Sequence, residues 1–268
     1  METMKVGDVT LAYEYYTHFE SKGTIVFLNG VMASYSSWKP YTDYYYNRGY
    51  NVLVHDFRGQ LMSEKPNGPY SFKVHSEDTF ALMDALDITN AHLIGTSYGG
   101  EVAMKMAILD GARINSMIII NAVSELDETL TYKVRQWKTL AQSHDAVTFM
   151  EGMMGDIYSQ WFIEENRAMI NKRIEAMQTL DSSYFEGQIV LYDTFLNDVT
   201  MTQELKGVTI PTLVVSSEHD TLKPYKFSQI IHHALQESEH VMIPGCAHVT
   251  IFEAPKTLMS VMTGFLEK

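Results

Sequence analysis

A succession of short apolar runs separated by helical segments constrains this chain more than any other feature. Thr24–Leu28 ends at Asn29-Gly30, Asn51–Val54 at His55-Asp56, Ala91–Ile94 at Gly95, and Ser116–Ile120 at Asn121-Ala122. Val9–Tyr16 precedes these runs, and Thr212–Val215 and His240–Ile243 follow late in the chain. Runs apolar at successive positions, such as Ile118-Ile119-Ile120, suit strands covered on both faces. Between them, Ser76–Leu86 puts Thr79, Leu82, Met83 and Leu86 on one helical face, and Tyr98–Leu109 repeats the spacing with Val102, Met106 and Leu109. Tyr225–Leu235 and Pro255–Leu266 read as later helices. Strands that alternate with helices need parallel crossovers, so an α/β fold is predicted, with a mostly parallel central sheet flanked by helices.

The rhythm breaks at residue 124 and resumes at 206. The intervening stretch has no buried-strand pattern and predicts helices over Tyr132–Gln142, Ala146–Met154, Glu164–Leu180 and Glu186–Leu196. The expected organisation is a sheet core of residues 1–123 and 206–268 with an inserted helical cap, residues 124–205. An insertion over the strands' C-terminal edge would exclude water and shape a pocket. Its candidate wall residues are Phe149, Met153, Tyr158 and Trp161, joined by Met32 from the loop after the run 24–28. Arg135, Arg167, Lys172 and Arg173 read as surface charges, which points to a neutral, apolar substrate.

Charge excludes several partners. Lys and Arg number 20 against 33 Asp and Glu, a net charge of −13. Nucleic-acid binding draws on clustered Lys and Arg, of which there are none, and an acidic chain is repelled by phosphate and by anionic membrane surfaces. No apolar stretch approaches the roughly 18 residues that would span a bilayer. The opening residues lack the basic-then-apolar pattern of a secretory signal. The single cysteine, Cys246, allows no intrachain disulfide and no Cys-rich metal framework, and reads as a buried, inert thiol. The expectation is a soluble, cytoplasmic protein that acts on a small molecule without a cofactor, a metal ion, nucleic acid or membrane insertion.

Gly95-Thr96-Ser97-Tyr98-Gly99-Gly100 joins the run 91–94 to a helix, which is G-x-S-x-G in a strand–turn–helix setting. So tight a turn strains the serine backbone and would make side chains two residues to either side collide, a collision that Gly95 and Gly99 remove. The first helical turn offers free N–H groups that favour an anion. A serine hydroxyl needs a base, and the base needs a carboxylate to fix its tautomer. In this arrangement the chain order is serine, acid, histidine. Glu218 and Asp220 follow the run 212–215, and His248 follows the run 240–243, at strand ends where open α/β sheets form sites. Asp220 and His248 are 28 residues apart, room for one helix and one strand. Asp198, His219 and His55 are rivals, while His232-His233 reads as a helix surface.

Together these motifs resemble the α/β-hydrolases over nearly the whole chain. Ser217-Glu218-His219-Asp220 through Pro224 is similar to that family's acid turn, with Ser where Gly is usual, and Gly245-Cys246-Ala247-His248 to its histidine loop. The resemblance implies that Ser97 is the nucleophile, His248 the general base and acid, and Asp220 the orienting carboxylate. It also implies an oxyanion hole made by two backbone N–H groups. One belongs to Tyr98, after the nucleophile; the other belongs to Val31, after Asn29-Gly30, where many relatives carry His-Gly. The Asn29 amide can still brace that loop. His55–Ser63 resembles the family's D-x-R-G-x-G-x-S loop with Leu61 in place of a Gly, and its Asp56 and Arg58 read as a structural pair.

The implied activity is that of a serine hydrolase acting on carboxylic esters, lactones included, of apolar acyl or alkyl groups through an acyl-enzyme on Ser97. Alternatives are an acyltransferase or thioesterase, to which Asn29-Gly-Val-Met-Ala33 bears a short likeness, a C–C bond hydrolase using the same triad, and a non-catalytic ligand receptor on the same fold. Dehalogenase and epoxide hydrolase chemistry is disfavoured, because such relatives carry Asp at the nucleophile.

Overall fold

In the computed structural model, which describes residues 1–268, the chain forms eight strands, eleven α-helices and two short 3-10 helices, Tyr35–Trp38 and Gly111–Arg113. The strands are β1 (Glu2–Val6), β2 (Val9–Tyr16), β3 (Thr24–Leu28), β4 (Asn51–His55), β5 (Ala91–Thr96), β6 (Ile114–Ile120), β7 (Thr212–Ser217) and β8 (Ser238–Ile243). The helices of the first half are α1 (Lys39–Tyr46), α2 (Phe72–Ala85) and α3 (Tyr98–Asp110). Between β6 and β7 come α4 (Glu128–Gln142), α5 (Ala146–Ile157), α6 (Gln160–Met177), α7 (Ser182–Asp198) and the short α8 (Thr202–Leu205). The chain closes with α9 (Tyr225–Ala234), α10 (Thr250–Glu253) and α11 (Pro255–Leu266).

All eight strands belong to one sheet in the order β1-β2-β4-β3-β5-β6-β7-β8. Strands β4, β3 and β5 to β8 run parallel, and β1 and β2 add an antiparallel edge. Strands β3 and β7 are buried along their whole length, as expected for apolar runs covered on both faces. Their alternating residues serve two cores. Val26, Leu28, Met117, Ile119 and Val214 pack with α2, α3 and α9, whereas Ile25, Phe27, Ile118, Ile120, Leu213 and Val215 pack with α1 and α11. The C-terminal ends of β3, β5, β7 and β8 thus come to one edge, carrying the loops that hold Val31, Ser97, Asp220 and His248.

No strand interrupts residues 124–205. Four helices there start at side-chain caps: Asp127 accepts from Leu130 N–H, Asp145 from Thr148, Ser159 from Phe162 and Asp181 from Ser183. Each such cap stabilises its helix by about 1 kcal/mol. The caps explain why α4, α6 and α7 begin four residues upstream of the starts expected from apolar spacing, at 128, 160 and 182 rather than 132, 164 and 186.

Two elements escape the sequence rhythm. Strand β1 is a largely exposed edge with little apolar signal. Helix α1 is rich in tyrosine, a mediocre helix former, and is held by burial of Tyr41 and Tyr45 beside Trp38 and Phe27. No helix is long and apolar enough to cross a membrane.

Candidate active site

Strand β5 ends at Thr96 and α3 begins at Tyr98, so Ser97 alone makes the turn. Its backbone sits at φ 50°, ψ −118°, a conformation that is costly for any residue with a Cβ and persists only where the surroundings enforce it. A Cβ on Gly95 would fall on the backbone of Gly99, and one on Gly99 would fall on the carbonyl of Leu28 at the end of β3. A Cβ on Gly100 would lie 2.6 Å from that of Ala122. The two motif glycines and this third one therefore let β3, β5, α3 and the loop after β6 approach to backbone contact, which raises Ser97 at the sheet edge.

His248 Nε2 lies 2.9 Å from Ser97 Oγ, and its Nδ1 lies 2.7 Å from Asp220 Oδ2. The other Asp220 oxygen accepts from the N–H groups of Leu222 at 2.9 Å and Lys223 at 2.8 Å, so the buried carboxylate has both oxygens committed. A carboxylate can only accept, so Nδ1 carries the proton and Nε2 is free to accept from the serine hydroxyl. The histidine loop is pinned from β6. Asn121, at φ 49°, donates through Nδ2 to the His248 carbonyl at 2.7 Å and to Thr250 and Ser217. Asn121 stands in the sequence only as the residue where an apolar run ends; its buried amide reveals its role.

The rival groups lie elsewhere. Glu218 accepts from Gly245 N–H, Asp198 accepts from Phe72 N–H, and His219 is exposed against Trp161. None of them bonds His248. His55 pairs with Thr79 and His75 with the hydroxyl of Tyr98, both away from Ser97. Complete burial lowers the pKa of His55 to about 4 and that of His75 to about 3. Burial also raises the Tyr98 hydroxyl well above its ordinary range, so this neutral side chain anchors the residue that follows Ser97. Cys246 is buried, and burial pushes its thiol up.

Behind Asp220, Lys223 Nζ donates to both oxygens of Glu101 at 2.9 and 3.0 Å. The Lys and Glu side chains are 3% and 0% exposed. Burial pulls each toward its neutral form, and the partner's opposite charge resists this. The pair ties the turn carrying Asp220 to the first turn of α3, and Glu101 also accepts from Val123 N–H.

The N–H groups of Val31 and Tyr98 have no acceptor within the chain. The Val31 loop lies against Ser97, since a Cβ on Gly30 would meet Ser97 Cβ at 3.6 Å. Asn29 does brace this loop. Its amide nitrogen donates to His55 O, Asp56 Oδ1 and Gln60 Oε1, and its oxygen accepts from Trp38 Nε1. Gln60, fully buried and overlooked in the sequence, donates to the carbonyls of Gly30 at 2.9 Å and Val31 at 3.3 Å, turning those oxygens away from the site. Asp56 and Arg58 are not a pair. Asp56 accepts from Tyr35 N–H, Met62 N–H and Asn29, and burial raises its carboxyl to about 6. Arg58 instead clamps Asp78 and Asp8. The two residues stabilise one loop through separate contacts, because their side chains leave it in different directions.

A cavity of about 70 Å³ opens beside Ser97, bordered by Ser97, His248 and Val31 below and by Trp137, Met150 and Tyr158 above. It adjoins a wider cleft of about 620 Å³ along α6. Of the expected wall residues, Met32 and Tyr158 border this space. Phe149, Met153 and Trp161 do not. Phe149 packs edge-on to Tyr184 and Phe185, Met153 is buried against the Tyr192 hydroxyl, and half-exposed Trp161 donates to Gly245 O. The first two hold the helices together, and the third fastens α6 to the histidine loop.

Arg173 was misread as a surface charge. It is half-buried, borders both cavities and donates to Tyr158 Oη at 2.7 Å. The sequence did carry its signal, since Phe162, Asn166, Met169, Arg173 and Met177 recur at helical spacing and form the α6 stripe that borders the cleft. Arg135, Arg167 and Lys172 are exposed. No group of three or more His, Cys, Asp or Glu side chains is placed to hold a metal ion.

Comparison with known proteins agrees with this architecture. The family model of the alpha/beta hydrolase fold matches residues 23–255. The protein YisY of Bacillus subtilis, an AB hydrolase superfamily protein, is 24% identical over 259 residues, which cover 90% of each chain. The 3-oxoadipate enol-lactonase 2 of Acinetobacter baylyi is 24% identical over 260 residues, covering 95% of this chain and 92% of that one. Among solved structures, MGS-M2, an alpha/beta hydrolase enzyme from a Medee basin deep-sea metagenome library, superposes with a TM-score of 0.93 at 26% identity, over 100% of this chain and 98% of that one. The enol-lactonase from Burkholderia xenovorans shares the fold with a TM-score of 0.86 at 21% identity, over the full length of both.

Proposed function

The chain belongs to the alpha/beta hydrolase family, and from that premise we propose that it is a serine hydrolase of carboxylic esters, lactones included, working through an acyl-enzyme on Ser97. The observation that carries this reading is the continuous relay from Asp220 through His248 to Ser97, with bonds of 2.7 and 2.9 Å, beside two unpaired N–H groups. Ser97 Oγ attacks the carbonyl carbon while His248 Nε2 takes its proton. The carbonyl oxygen becomes an anion held by Val31 and Tyr98 N–H. Asp220 stabilises the imidazolium and fixes its orientation. His248 then returns the proton to the departing alcohol, and afterwards activates the water that releases the acid. Opening a lactone is the same attack on a cyclic ester, in keeping with the enol-lactonases among the relatives.

Residues 124–205 act in this reading as a cap. Trp137, Met150 and Tyr158 form the cavity's apolar roof, which limits water around the acyl group. The test is hydrolysis of p-nitrophenyl acetate and butyrate. Ser97→Ala, with an unchanged circular dichroism spectrum, should lower kcat by at least about 10⁴-fold. Substantial turnover by that variant would overturn the reading.

A further inference from the structure

Arg173 is the one Lys, Arg, Asp or Glu side chain that borders the 70 Å³ cavity or the cleft along α6; Lys223, which borders a further small pocket at Ser97, is already paired with Glu101. The Arg173 guanidinium makes a single hydrogen bond, to the neutral hydroxyl of Tyr158, and no carboxylate lies within ion-pair distance. The charge of Glu253 is felt at Tyr158, but its two oxygens accept from the N–H groups of Ser159 and Ala247 instead. One face of the guanidinium stacks on Phe252 at 4.8 Å, which fixes its plane. Of the five N–H donors of an arginine, four therefore remain, at the rim of an apolar cavity that screens charge poorly.

A cation next to apolar surface with only a neutral hydroxyl and a ring as partners is a poor structural element, because no opposite charge in the fold balances its own. It is well suited to bind the carboxylate of a ligand, which matches a guanidinium edge with two parallel hydrogen bonds. A single cation fits a monoanion better than a doubly charged phosphate. Arg173 and Ser97 border the same small cavity, so one compact ligand can meet both.

We propose that Arg173 is a specificity-determining residue that selects esters or lactones bearing a carboxylate a few bonds from the scissile carbonyl. This rests on the ester-hydrolase reading above, and it replaces the neutral substrate that the sequence suggested. The carboxylate takes the guanidinium edge, the short chain crosses the apolar cavity, and the carbonyl meets Ser97.

Two matched substrates test this: mono-p-nitrophenyl glutarate and its methyl ester, in which the carboxylate is capped. Native protein should favour the acid in kcat/KM by at least about tenfold, the scale of one charge-assisted contact. Arg173→Met should collapse that ratio by at least about tenfold, and Arg173→Lys should keep part of it. A purely structural role for Arg173 would change both substrates together, so an unmoved ratio, or a native preference for the methyl ester, overturns the proposal. A second measurement keeps the two readings apart. Monomethyl glutarate should bind Ser97→Ala measurably by calorimetry and bind Ser97→Ala/Arg173→Met at least about tenfold more weakly. If neither ester is hydrolysed but this binding difference appears, the ester reading fails while the anion site stands. If the esters are hydrolysed but no binding difference appears, the anion site falls alone.

Discussion

Replacing Lys223 with Met would remove the cation from a buried pair, and with it the ammonium's contact over the Phe195 ring at 4.6 Å, while leaving an unbranched apolar side chain of similar length. Glu101 would then face the interior with a single donor, Val123 N–H at 2.7 Å. Leaving one member of a buried pair uncompensated costs about 3–5 kcal/mol. The variant has an escape, which is to protonate Glu101. From the ordinary carboxyl value of 4.5, that proton costs about 1.4 kcal/mol per pH unit, hence roughly 5 kcal/mol at pH 8 but only about 1.5 kcal/mol at pH 5.5. The folded-state pKa of Glu101 is raised, so the folded variant binds the proton more tightly than the unfolded chain. Its stability should therefore fall as pH rises above about 4.5 and level off above the raised value. Urea unfolding followed by far-UV circular dichroism should show a deficit of about 3–5 kcal/mol at pH 8 and less than half of that at pH 5.5. Glu101→Gln/Lys223→Met removes the stranded charge and should be more stable than Lys223→Met at pH 8, with a deficit nearly independent of pH. A Lys223→Met deficit below about 1 kcal/mol at pH 8, or one equal at both pH values, would refute the assignment of this pair as an interior strut.

Other consequences follow from the same geometry. Gly99→Ala would drive a Cβ into the Leu28 carbonyl, so β3 and the nucleophile turn must separate; a thermal melt should show a loss of at least about 3 kcal/mol, and the surviving protein should have little esterase activity. Gln60→Leu frees the Gly30 and Val31 carbonyls, and with them the direction of Val31 N–H. The expected effect is about a tenfold lower kcat with little change in KM in ester hydrolysis, because the lost support acts on the oxyanion. Acid stability should reflect His55 and His75. Their folded-state pKa values of about 4 and 3 lie below the ordinary 6.5, so stability declines as pH falls from 6.5 toward 4, by roughly 3 kcal/mol for each. Asp56, raised to about 6, acts oppositely over much of that range and offsets about one of the two. Urea midpoints between pH 7 and 4 should fall for the native protein, and the fall should be shallower for His75→Gln.

The strands of this fold were legible because a parallel sheet buried on both faces demands unbroken apolar runs, which few other structures tolerate. The glycines around Ser97 were legible for a similar reason, since only glycine fits where Gly99 meets Leu28. What the linear pattern concealed were side chains whose role depends on contacts distant in the chain. Gln60 and Asn121 look like ordinary polar loop residues until their amides are seen bonding the carbonyls of Gly30 and His248. Phe149 and Met153 have the composition of a pocket wall, yet they are fully buried in the core that runs continuously from the sheet into the helices of residues 124–205. Arg173 reads as a surface charge from its residue type alone, although it sits in register with Met169 and Met177 on the stripe that borders the cleft.

The central claim is that Ser97 becomes covalently acylated with His248 as its base, and a fluorophosphonate probe tests this directly. Intact-mass and peptide analysis of the folded protein should show one adduct, located on Ser97, absent from Ser97→Ala and formed at least about a hundredfold more slowly in His248→Ala. A folded native protein that stays unlabelled, or an adduct on another residue that persists in Ser97→Ala, would contradict the account.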